Sequence, residues 1–321
     1  MLRLTFVSRS LCTARHRGWA FGSLLCLLTL LTVATRAPAQ VTYATAEAAY
    51  NAGAHFINDG NLAAAREPLE AALKMAKTDA YRLKVNRTLL IPYRELQEIE
   101  PMQTATEYIL TNSEQPAERS LSRRSLLGFI HKRGKLDVAL KEYVERAKKT
   151  PEDWALLYLL TDAYASYKRD PAKSVEYGEM LAAVDKKLGK KQDLPELALL
   201  AQQYVLAEKP KEGATLFETI APLDKKLEAW HLKEAAAAWL KAGDKTKAVD
   251  AAKKSTVAAP EKRGALLAYF YHRGVGDIFL NSGEPALAIP QFKLAIAVGT
   301  IDGHLKETKL KLLEAEDAAK K

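Results

Sequence analysis

The histidines of this sequence have side chains that could bind a metal ion or exchange protons near neutral pH. Histidine metal sites usually draw on pairs a few residues apart, such as His-x-x-x-His on one face of a helix. The five histidines after residue 39 lie far apart, and no two share such a spacing. We therefore predict no metal site and no cofactor, and interpret these histidines as surface or half-buried residues. They are His55, His131, His231, His272 and His304.

Known catalytic motifs are missing from the sequence. It contains no Gly-x-Ser-x-Gly, which presents a nucleophilic serine, and no His-Glu-x-x-His, which holds a catalytic zinc ion. It also lacks the Gly-x-x-x-x-Gly-Lys loop that binds phosphates. Gly274 and Gly276 form a lone Gly-x-Gly inside a helical pattern, which indicates helix packing rather than nucleotide binding. We predict that the chain is not an enzyme.

The first 39 residues have the order of a secretory signal peptide. Residues 1–18 carry arginines and no acidic residue, residues 19–34 are apolar, and Ala37-Pro38-Ala39 is a small-x-small cleavage site. The apolar run is shorter than the roughly 20 residues that cross a bilayer. We therefore predict cleavage after Ala39, no stable membrane insertion afterwards, and export to the periplasm or secretion. A retained membrane anchor and a mitochondrial transit peptide are the alternatives.

Removal of the leader changes the charge and the redox chemistry of the chain. Both cysteines, Cys12 and Cys26, lie in the leader, so the mature chain would contain no disulfide. The leader also holds five of the 48 basic residues, which leaves 43 against 39 acidic residues, a net charge of +4. Because that excess is small, we predict no nucleic-acid partner.

Two segments, 46–79 and 269–302, carry the same residue types at the same offsets. Each has a glycine and an aromatic residue in a first helical pattern, then a turn glycine, then small and large apolar residues in a second. A hairpin of two such short helices cannot bury its apolar face alone, so it needs neighbours of the same kind. The matched residues are Gly53, Phe56, Gly60, Ala65, Leu69 and Ala72, and Gly276, Phe279, Gly283, Ala288, Phe292 and Ala295.

Weaker copies of the pattern occupy the sequence between these two segments. We predict seven units, with first residues near 46, 86, 120, 154, 194, 229 and 269. A largely polar helix from His304 to Lys320 follows and would cover the last apolar face. Six aromatic residues at packing positions are predicted to be core residues: Tyr164, Tyr204, Phe217, Trp239, Phe279 and Phe292.

Prolines and caps give more local predictions. In the second unit, Glu100-Pro101 replaces the turn glycine, and Pro92 is expected to kink or shorten the first helix. Thr150 is predicted to cap the first helix of the fourth unit. Residues 193–196, Asp-Leu-Pro-Glu, are predicted to form a capping box at the first helix of the fifth unit.

This arrangement resembles the tetratricopeptide repeat family, whose unit is a helix hairpin of about 34 residues. The resemblance implies an all-α fold, a right-handed α-solenoid of about seven hairpins with a C-terminal capping helix. The predicted organisation is a cleaved signal peptide at 1–39, a solenoid at 40–302 and a capping helix at 303–321. The sequence departs from the family in most first-helix tryptophans, and only Pro151 and Pro260 match its closing proline.

The resemblance also implies a binding groove lined by the first helix of each unit. The residues that it places there lean basic and include two aromatic side chains, which would suit an acidic peptide or a carboxylate terminus. Tyr50 and Ala54 stand where the family's carboxylate clamp has Lys and Asn, so that specificity is not expected. Ordinary solvated residues are the alternative interpretation. The groove residues are Arg87, Arg94, Arg124, His131, Tyr158, Asp162, Gln202, Trp230, Lys233 and Arg273.

The predicted function is that of a protein–protein interaction scaffold or adaptor in the bacterial envelope or periplasm, with another protein as its partner. A carbohydrate-binding protein or an α/α-type enzyme is one alternative. It would need an acidic pair that faces a cleft, and Asp162 has no companion within its own helix. A self-associating structural protein, and hence a homo-oligomer, is another.

Overall fold

The computed structural model describes residues 42–188, 193–258 and 264–321. In these three ranges the chain forms fifteen α-helices and no β-strand. Fourteen of the helices follow one another as seven antiparallel hairpins, and the fifteenth packs against the last hairpin. The predicted all-α solenoid is therefore confirmed. The predicted signal peptide with its cleavage site, and Pro260, lie outside the described residues.

Each hairpin consists of a first helix with an odd number and a second helix with an even number. The seven pairs are α1 (Ala46–Asn58) with α2 (Leu62–Met75), α3 (Asp79–Glu95) with α4 (Ile99–Asn112), α5 (Pro116–Lys132) with α6 (Leu136–Lys149), α7 (Trp154–Asp162) with α8 (Pro171–Leu188), α9 (Leu194–Leu206) with α10 (Pro210–Ile220), α11 (Glu228–Lys241) with α12 (Lys245–Ala258), and α13 (Ala265–Ser282) with α14 (Pro285–Val298). The last helix is α15 (Asp302–Ala318).

Every hairpin turn contains a residue with positive φ. Such a conformation favours glycine, because a Cβ atom crowds the following carbonyl group. In the second, fourth and fifth hairpins the residue is not glycine, so these turns lack the commonest sequence signal of a positive φ. The seven residues are Gly60, Gln97, Gly134, Arg169, Glu208, Gly243 and Gly283.

The second unit begins earlier than its sequence pattern suggests. Its turn residue is Gln97 rather than the Glu100-Pro101 pair, and its first helix begins at Asp79 instead of residue 86. The prediction that Pro92 shortens this helix is wrong, because the helix continues to Glu95. Pro92 removes the N–H group that would bond to the carbonyl oxygen of Thr88, but it lies in the final turn, so only one turn of helix follows this lost bond.

Small residues allow the two helices of a hairpin to lie close together. Ala65, Ala248 and Ala288 have no exposed surface. A Cβ atom at Gly276 would come within 2.6 Å of Cε1 of Phe292, so only glycine fits there without a shift. The predicted packing role of Gly276 is therefore confirmed in the hairpin formed by α13 and α14.

The predicted core aromatics are buried with one exception. Tyr204 is half-buried, and its hydroxyl group donates a hydrogen bond of 2.8 Å to Oε1 of Glu179. Phe56, which matches the buried Phe279 in the pattern, is 37% exposed. In the described residues no helix precedes α1, so no earlier hairpin covers this side chain.

The buried apolar residues form two clusters instead of one continuous core. The first cluster extends from Ala49 to Val184 and belongs to the first four hairpins. The second extends from Leu197 to Ala315 and belongs to the last three hairpins and α15. The clusters meet where α8 packs on α9. None of the helices in the described ranges combines the length and apolar character needed to span a bilayer.

Helix α7 occupies a special position beside this junction. Every one of its nine residues is buried, whereas a solenoid helix normally leaves one face in the groove. Asp153 is its N-cap residue, and its Oδ1 accepts a hydrogen bond of 3.1 Å from the N–H group of Leu156. The predicted cap, Thr150, instead ends α6. Helix α7 therefore has no face that is exposed to solvent.

Candidate binding surface and a buried charge cluster

The structure separates the predicted groove residues into three groups along the array. Those on α3 and α5 are exposed, those on α7 are buried, and those on α9, α11 and α13 are exposed or half-buried. The first group is Arg87, Arg94, Arg124 and His131; the second is Tyr158 and Asp162; the third is Gln202, Trp230, Lys233 and Arg273.

An ion pair aligns α3 with α5 in the first group. Nη2 of Arg87 donates a hydrogen bond of 2.6 Å to Oε2 of Glu118. Burial alone would raise the pKa of Glu118, but hydrogen bonds from Arg87 and Ser113 outweigh it and lower that pKa. In the described chain neither Arg94 nor Arg124 takes part in an ion pair. These two guanidinium groups therefore keep most of their donors for solvent or a partner.

Tyr167 joins this group through an unusual backbone segment. The chain continues from α7 into a π-helical turn, Ala163–Lys168, a feature that is frequent at functional sites. The turn places the Tyr167 ring 5.1 Å from the ring of His131, measured between centroids. A Cβ atom at Gly128 would lie 3.3 Å from the Tyr167 hydroxyl oxygen. We call Arg94, Arg124, His131 and Tyr167 the inner basic patch.

A second set of charged residues, buried or half-buried, lies beside α7. We call it the inner charge cluster: Arg119 and Arg123 of α5, Asp162 of α7, and Asp193 and Glu196 at the start of α9. Nε of Arg123 lies 2.9 Å from Oδ2 of Asp162, an ion pair whose atoms are not aligned for a hydrogen bond. Nη2 of Arg119 donates a hydrogen bond of 2.6 Å to Oδ2 of Asp193. Helices α5 and α9 are thereby linked across α7.

Two aromatic rings of α7 form the floor of the inner charge cluster. Trp154 and Tyr158 stack with their centroids 5.0 Å apart. The guanidinium carbon of Arg123 lies 3.9 Å from the centroid of Tyr158, and that of Arg119 lies 5.5 Å from that of Trp154. Burial raises the pKa of Tyr158, so this ring stays a neutral phenol. Each arginine therefore rests on an aromatic face, an arrangement that favours a cation.

The predicted capping box of α9 is not formed. The side chain of Asp193 accepts no hydrogen bond from the first turn of the helix and points to Arg119 instead. Oε1 of Glu196 lies 4.0 Å from Nη1 of Arg123, too far for a hydrogen bond. Both Glu196 oxygens are buried without a hydrogen-bond partner in the described chain. Burial, and next the nearby Asp193, raise the pKa of Glu196 well above its usual range.

The cluster explains why two predicted groove residues are not available to a partner. Tyr158 is 1% and Asp162 is 4% exposed, because α5 and α9 close over the inner face of α7. Their prediction as groove-lining residues is corrected by this closure. It arises from contacts between units that are not neighbours in the sequence, which a pattern applied to one unit at a time does not contain.

The cations of the third group already have acidic partners. Nζ of Lys233 lies 2.6 Å from Oε1 of Glu234 and 5.1 Å from the ring centroid of Trp230. Arg273 forms ion pairs with Glu307 of α15 and with Asp277. These contacts neutralise the C-terminal half of the predicted groove more than its N-terminal half.

Two acidic residues of the inner charge cluster, Asp162 and Glu196, offer little room for a substrate. Glu196 gives Asp162 the companion that its own helix lacks, since both carboxylates lie beside Arg123. The cavity next to them has a volume of only about 20 Å³, enough for one water molecule. Across the described ranges no group of histidine and acidic residues is arranged to hold a metal ion. The geometry at Asp162 and Glu196 is that of ion pairs with Arg123.

No protein-family model matches the sequence, and no curated protein matches it either. Solved structures do. The C-terminal part of a tetratricopeptide repeat protein from Cytophaga hutchinsonii is 14% identical, covers 80% of this chain and 98% of its own, and has a TM-score of 0.50. A tetratricopeptide repeat protein from Parabacteroides merdae is 16% identical over 84% of this chain and 98% of its own, with a TM-score of 0.38.

A third similar structure is the TPR2AB domain of yeast Sti1 in complex with pHSP90. It is 14% identical, covers 84% of this chain and 98% of its own, and has a TM-score of 0.32. At these identities the likeness concerns the fold. The chain thus has an α-solenoid fold similar to that of tetratricopeptide repeat proteins, in agreement with its sequence pattern.

Several residues at these two sites escape the sequence pattern. Arg119, Arg123 and Glu196 look like ordinary charged residues near helix starts, and Tyr167 depends on a π-helical turn without a known sequence signature. The signal that could have been used is Gly128, a glycine in the middle of a helix where alanine would be more stable.

Proposed function

We propose that this protein is an exported, non-enzymatic interaction scaffold that works in the periplasm or outside the cell. It binds an acidic segment of another protein on the inner basic patch. The observation that carries this proposal is the pair Arg94 and Arg124, two exposed arginines on successive first helices. Arg94 follows Arg87 by about two turns of α3, and Arg124 follows Glu118 by nearly two turns of α5, so the two arginines lie at similar distances from the Arg87–Glu118 pair.

Arginine suits such a role for a geometric reason. Its planar guanidinium group donates two parallel hydrogen bonds to one carboxylate, which lysine cannot do. The rings of His131 and Tyr167, tilted by 55° against each other, lie near Arg124 and offer an apolar surface to the rest of the segment. The leader of residues 1–39 supports export, and the single-water cavity near Asp162 supports a role without catalysis.

The test is a titration of the mature chain, residues 40–321, with a fluorescein-labelled decaglutamate peptide, followed by fluorescence anisotropy. The variant Arg94→Glu with Arg124→Glu should lower the affinity at least about tenfold, or about 1.4 kcal/mol. The control, Lys141→Glu with Lys149→Glu, makes the same change of charge at exposed positions of the outer helix α6. If wild type and the arginine variant bind the peptide with equal affinity, the inner basic patch is not its binding site.

Self-association is the second candidate function, because α15 has unusually exposed leucines. Leu310 is 60% and Leu313 is 57% exposed on a helix that otherwise closes the array. A second copy of the chain could cover them. Light scattering over a range of concentrations should then show a dimer that Leu310→Lys with Leu313→Lys makes monomeric. A monomer at every concentration would exclude self-association and leave the interaction scaffold as the one proposed function.

A further inference from the structure

The inner charge cluster has the chemistry of a site for carboxylate groups. Arg119 and Arg123 direct their donors to the inner side of the array while they rest on the rings of Trp154 and Tyr158. Arginines held in this way by aromatic faces are preorganised for planar, charge-assisted hydrogen bonds. In the structure the carboxylates that meet them belong to the chain itself: Asp162 of α7, which pairs with Arg123, and Asp193 and Glu196 at the start of α9.

The carboxylates of Asp193 and Glu196 lack some of the hydrogen bonds that their oxygen atoms could accept. Glu196 has two buried oxygens without hydrogen bonds, and Oδ1 of Asp193, whose side chain is 2% exposed, is also buried without a partner. By pointing to Arg119, Asp193 leaves the first turn of α9 without a side-chain cap. Burial of unpaired carboxylate oxygens and loss of a cap both disfavour the closed arrangement.

We propose that Asp193 and Glu196 act as an internal ligand and occupy a site for a partner segment with the same pattern, Asp-x-x-Glu. This inference rests on the proposed function and names a second contact on the inner face. The partner's carboxylates would bind Arg119 and Arg123. The released Asp193 would be free to cap α9, and Glu196 would return to water.

The two hydrophobic clusters make this exchange feasible. One lies on each side of the α8–α9 junction, so α9 can move away from α5 while both clusters keep their contacts. A groove of about 860 Å³ borders the site and is lined by Arg119, Trp154 and Asp193 among others. That volume suits an extended peptide segment.

The remaining charges of the groove limit the sequence of the segment. Glu114 and Asp224 also line the groove, and they disfavour a polyanion. The expected partner therefore carries one Asp-x-x-Glu pair in a neutral or basic context. This property distinguishes the site from the inner basic patch, where a polyglutamate segment is expected to bind.

The experiment uses residues 40–321 and a labelled peptide, Asp-Leu-Pro-Glu-Leu-Ala-Lys, with acetylated and amidated ends. Wild type should bind it weakly, because the site is occupied. Asp193→Asn with Glu196→Gln should bind it at least about tenfold tighter, since removal of an internal competitor raises the fraction of open sites. Asn-Leu-Pro-Gln-Leu-Ala-Lys should not bind either protein. Equal affinity in wild type and variant, or equal binding of both peptides, would overturn the proposal.

Further variants show where the peptide binds and distinguish a failure of this inference from a failure of the proposed function. Arg119→Gln added to the double variant should remove the gain, while circular dichroism shows that the protein is folded. If that protein does not fold, Glu196→Gln alone is used, which keeps the Arg119–Asp193 pair and should give a smaller gain. Arg94→Glu with Arg124→Glu should abolish decaglutamate binding and leave the gain intact. If those two changes remove the gain, the peptide binds at the inner basic patch and the inference is wrong.

Discussion

Arg119 and Asp193 are joined by a hydrogen bond of 2.6 Å although the whole of the fourth hairpin separates them in the sequence. In a regular solenoid each unit touches only the units before and after it. Here the third and fifth units also touch, and they enclose α7. Stability at this point therefore depends on more than contacts between neighbouring units. The same contact closes the inner face where a peptide groove was expected.

Glu196 should make the protein less stable as the pH rises, whereas most carboxylates make a protein less stable as the pH falls. Because its pKa is raised on folding, its proton is bound more tightly in the folded chain. This contribution is fully present below the unfolded pKa of about 4.3 and is lost as the pH rises through the folded pKa. The charged or titratable groups that face it are Arg119 and Arg123 of α5, Tyr158 and Asp162 of α7, Asp185 of α8 and Asp193 of α9.

The measurement is the difference in unfolding free energy between Glu196→Gln and wild type from pH 4 to pH 8. Glutamine imitates the protonated acid, so the variant should become the more stable protein as the pH rises. Glu118→Gln is the control with opposite sign, because the pKa of Glu118 is lowered. That variant should be less stable than wild type at pH 7, and the gap should narrow as the pH falls. If the difference in unfolding free energy between Glu196→Gln and wild type does not change with pH, the pKa of Glu196 is not raised by folding.

Glycine should stabilise the turns in which another residue adopts positive φ. Gln97 has φ of 65° and Glu208 has φ of 58°. Because a Cβ atom is strained there, Gln97→Gly and Glu208→Gly should each raise the unfolding free energy by roughly 0.5–1 kcal/mol. Gly134→Ala, at a turn with φ of 65°, should lower it by a similar amount. Urea denaturation checks the three proteins, and a loss of stability in both glycine variants would argue against the assigned turns.

Ala288 lies where α13 and α14 cross and has no exposed surface. Ala288→Leu should cost on the order of 1–3 kcal/mol, because the larger side chain forces the two helices apart. Ala286→Leu is the matched control, since Ala286 is exposed on the same helix and has room for a leucine. Thermal melts followed by circular dichroism should show a lower midpoint only for the first variant. An unchanged midpoint for Ala288→Leu would mean that the predicted alignment of the two helices is wrong.

Tyr271 takes part in a buried hydrogen-bond chain in the C-terminal half. Its hydroxyl group lies 2.6 Å from Oγ of Ser255, which donates a bond of 2.7 Å to the carbonyl oxygen of Ala229. Tyr271→Phe should cost about 0.5–1.5 kcal/mol, because no water replaces the lost bond. Tyr204→Phe should cost less, since the Tyr204 hydroxyl group is near solvent. Chemical denaturation compares the two, and a larger loss for Tyr204→Phe would contradict the burial of the Tyr271 bond.

The hairpins could be predicted from the sequence because their signals are local. Gly276 and Ala288 are small where two helices cross, and Gly60 and Gly283 stand in turns that need positive φ. These requirements act within one hairpin, so the same residue types recur at the same spacing. The second unit was misplaced by seven residues because Gln97 adopts the turn conformation without being a glycine.

The inner charge cluster could not be predicted in the same way. Asp193 and Glu196 have the spacing of a capping box, and within α9 alone that would be the better use of both side chains. Their actual partners, Arg119 and Arg123, lie more than seventy residues earlier, and only the tertiary packing of α5 and α9 beside α7 brings them together. In the inner basic patch, Arg94, Arg124 and His131 stand at groove positions that the sequence pattern indicates, whereas the position of Tyr167 depends on the π-helical turn.

The enclosure of α7 also affects how the protein must be made. A chain grows from its N-terminus, so α5 and α7 leave the ribosome well before the start of α9 is available to cover them. Until then Trp154 and Tyr158 are covered only by earlier elements such as α5, and a truncated product that stops near residue 188 would leave part of both rings exposed. Such a fragment should aggregate, and the first four hairpins should not behave as an independent soluble protein.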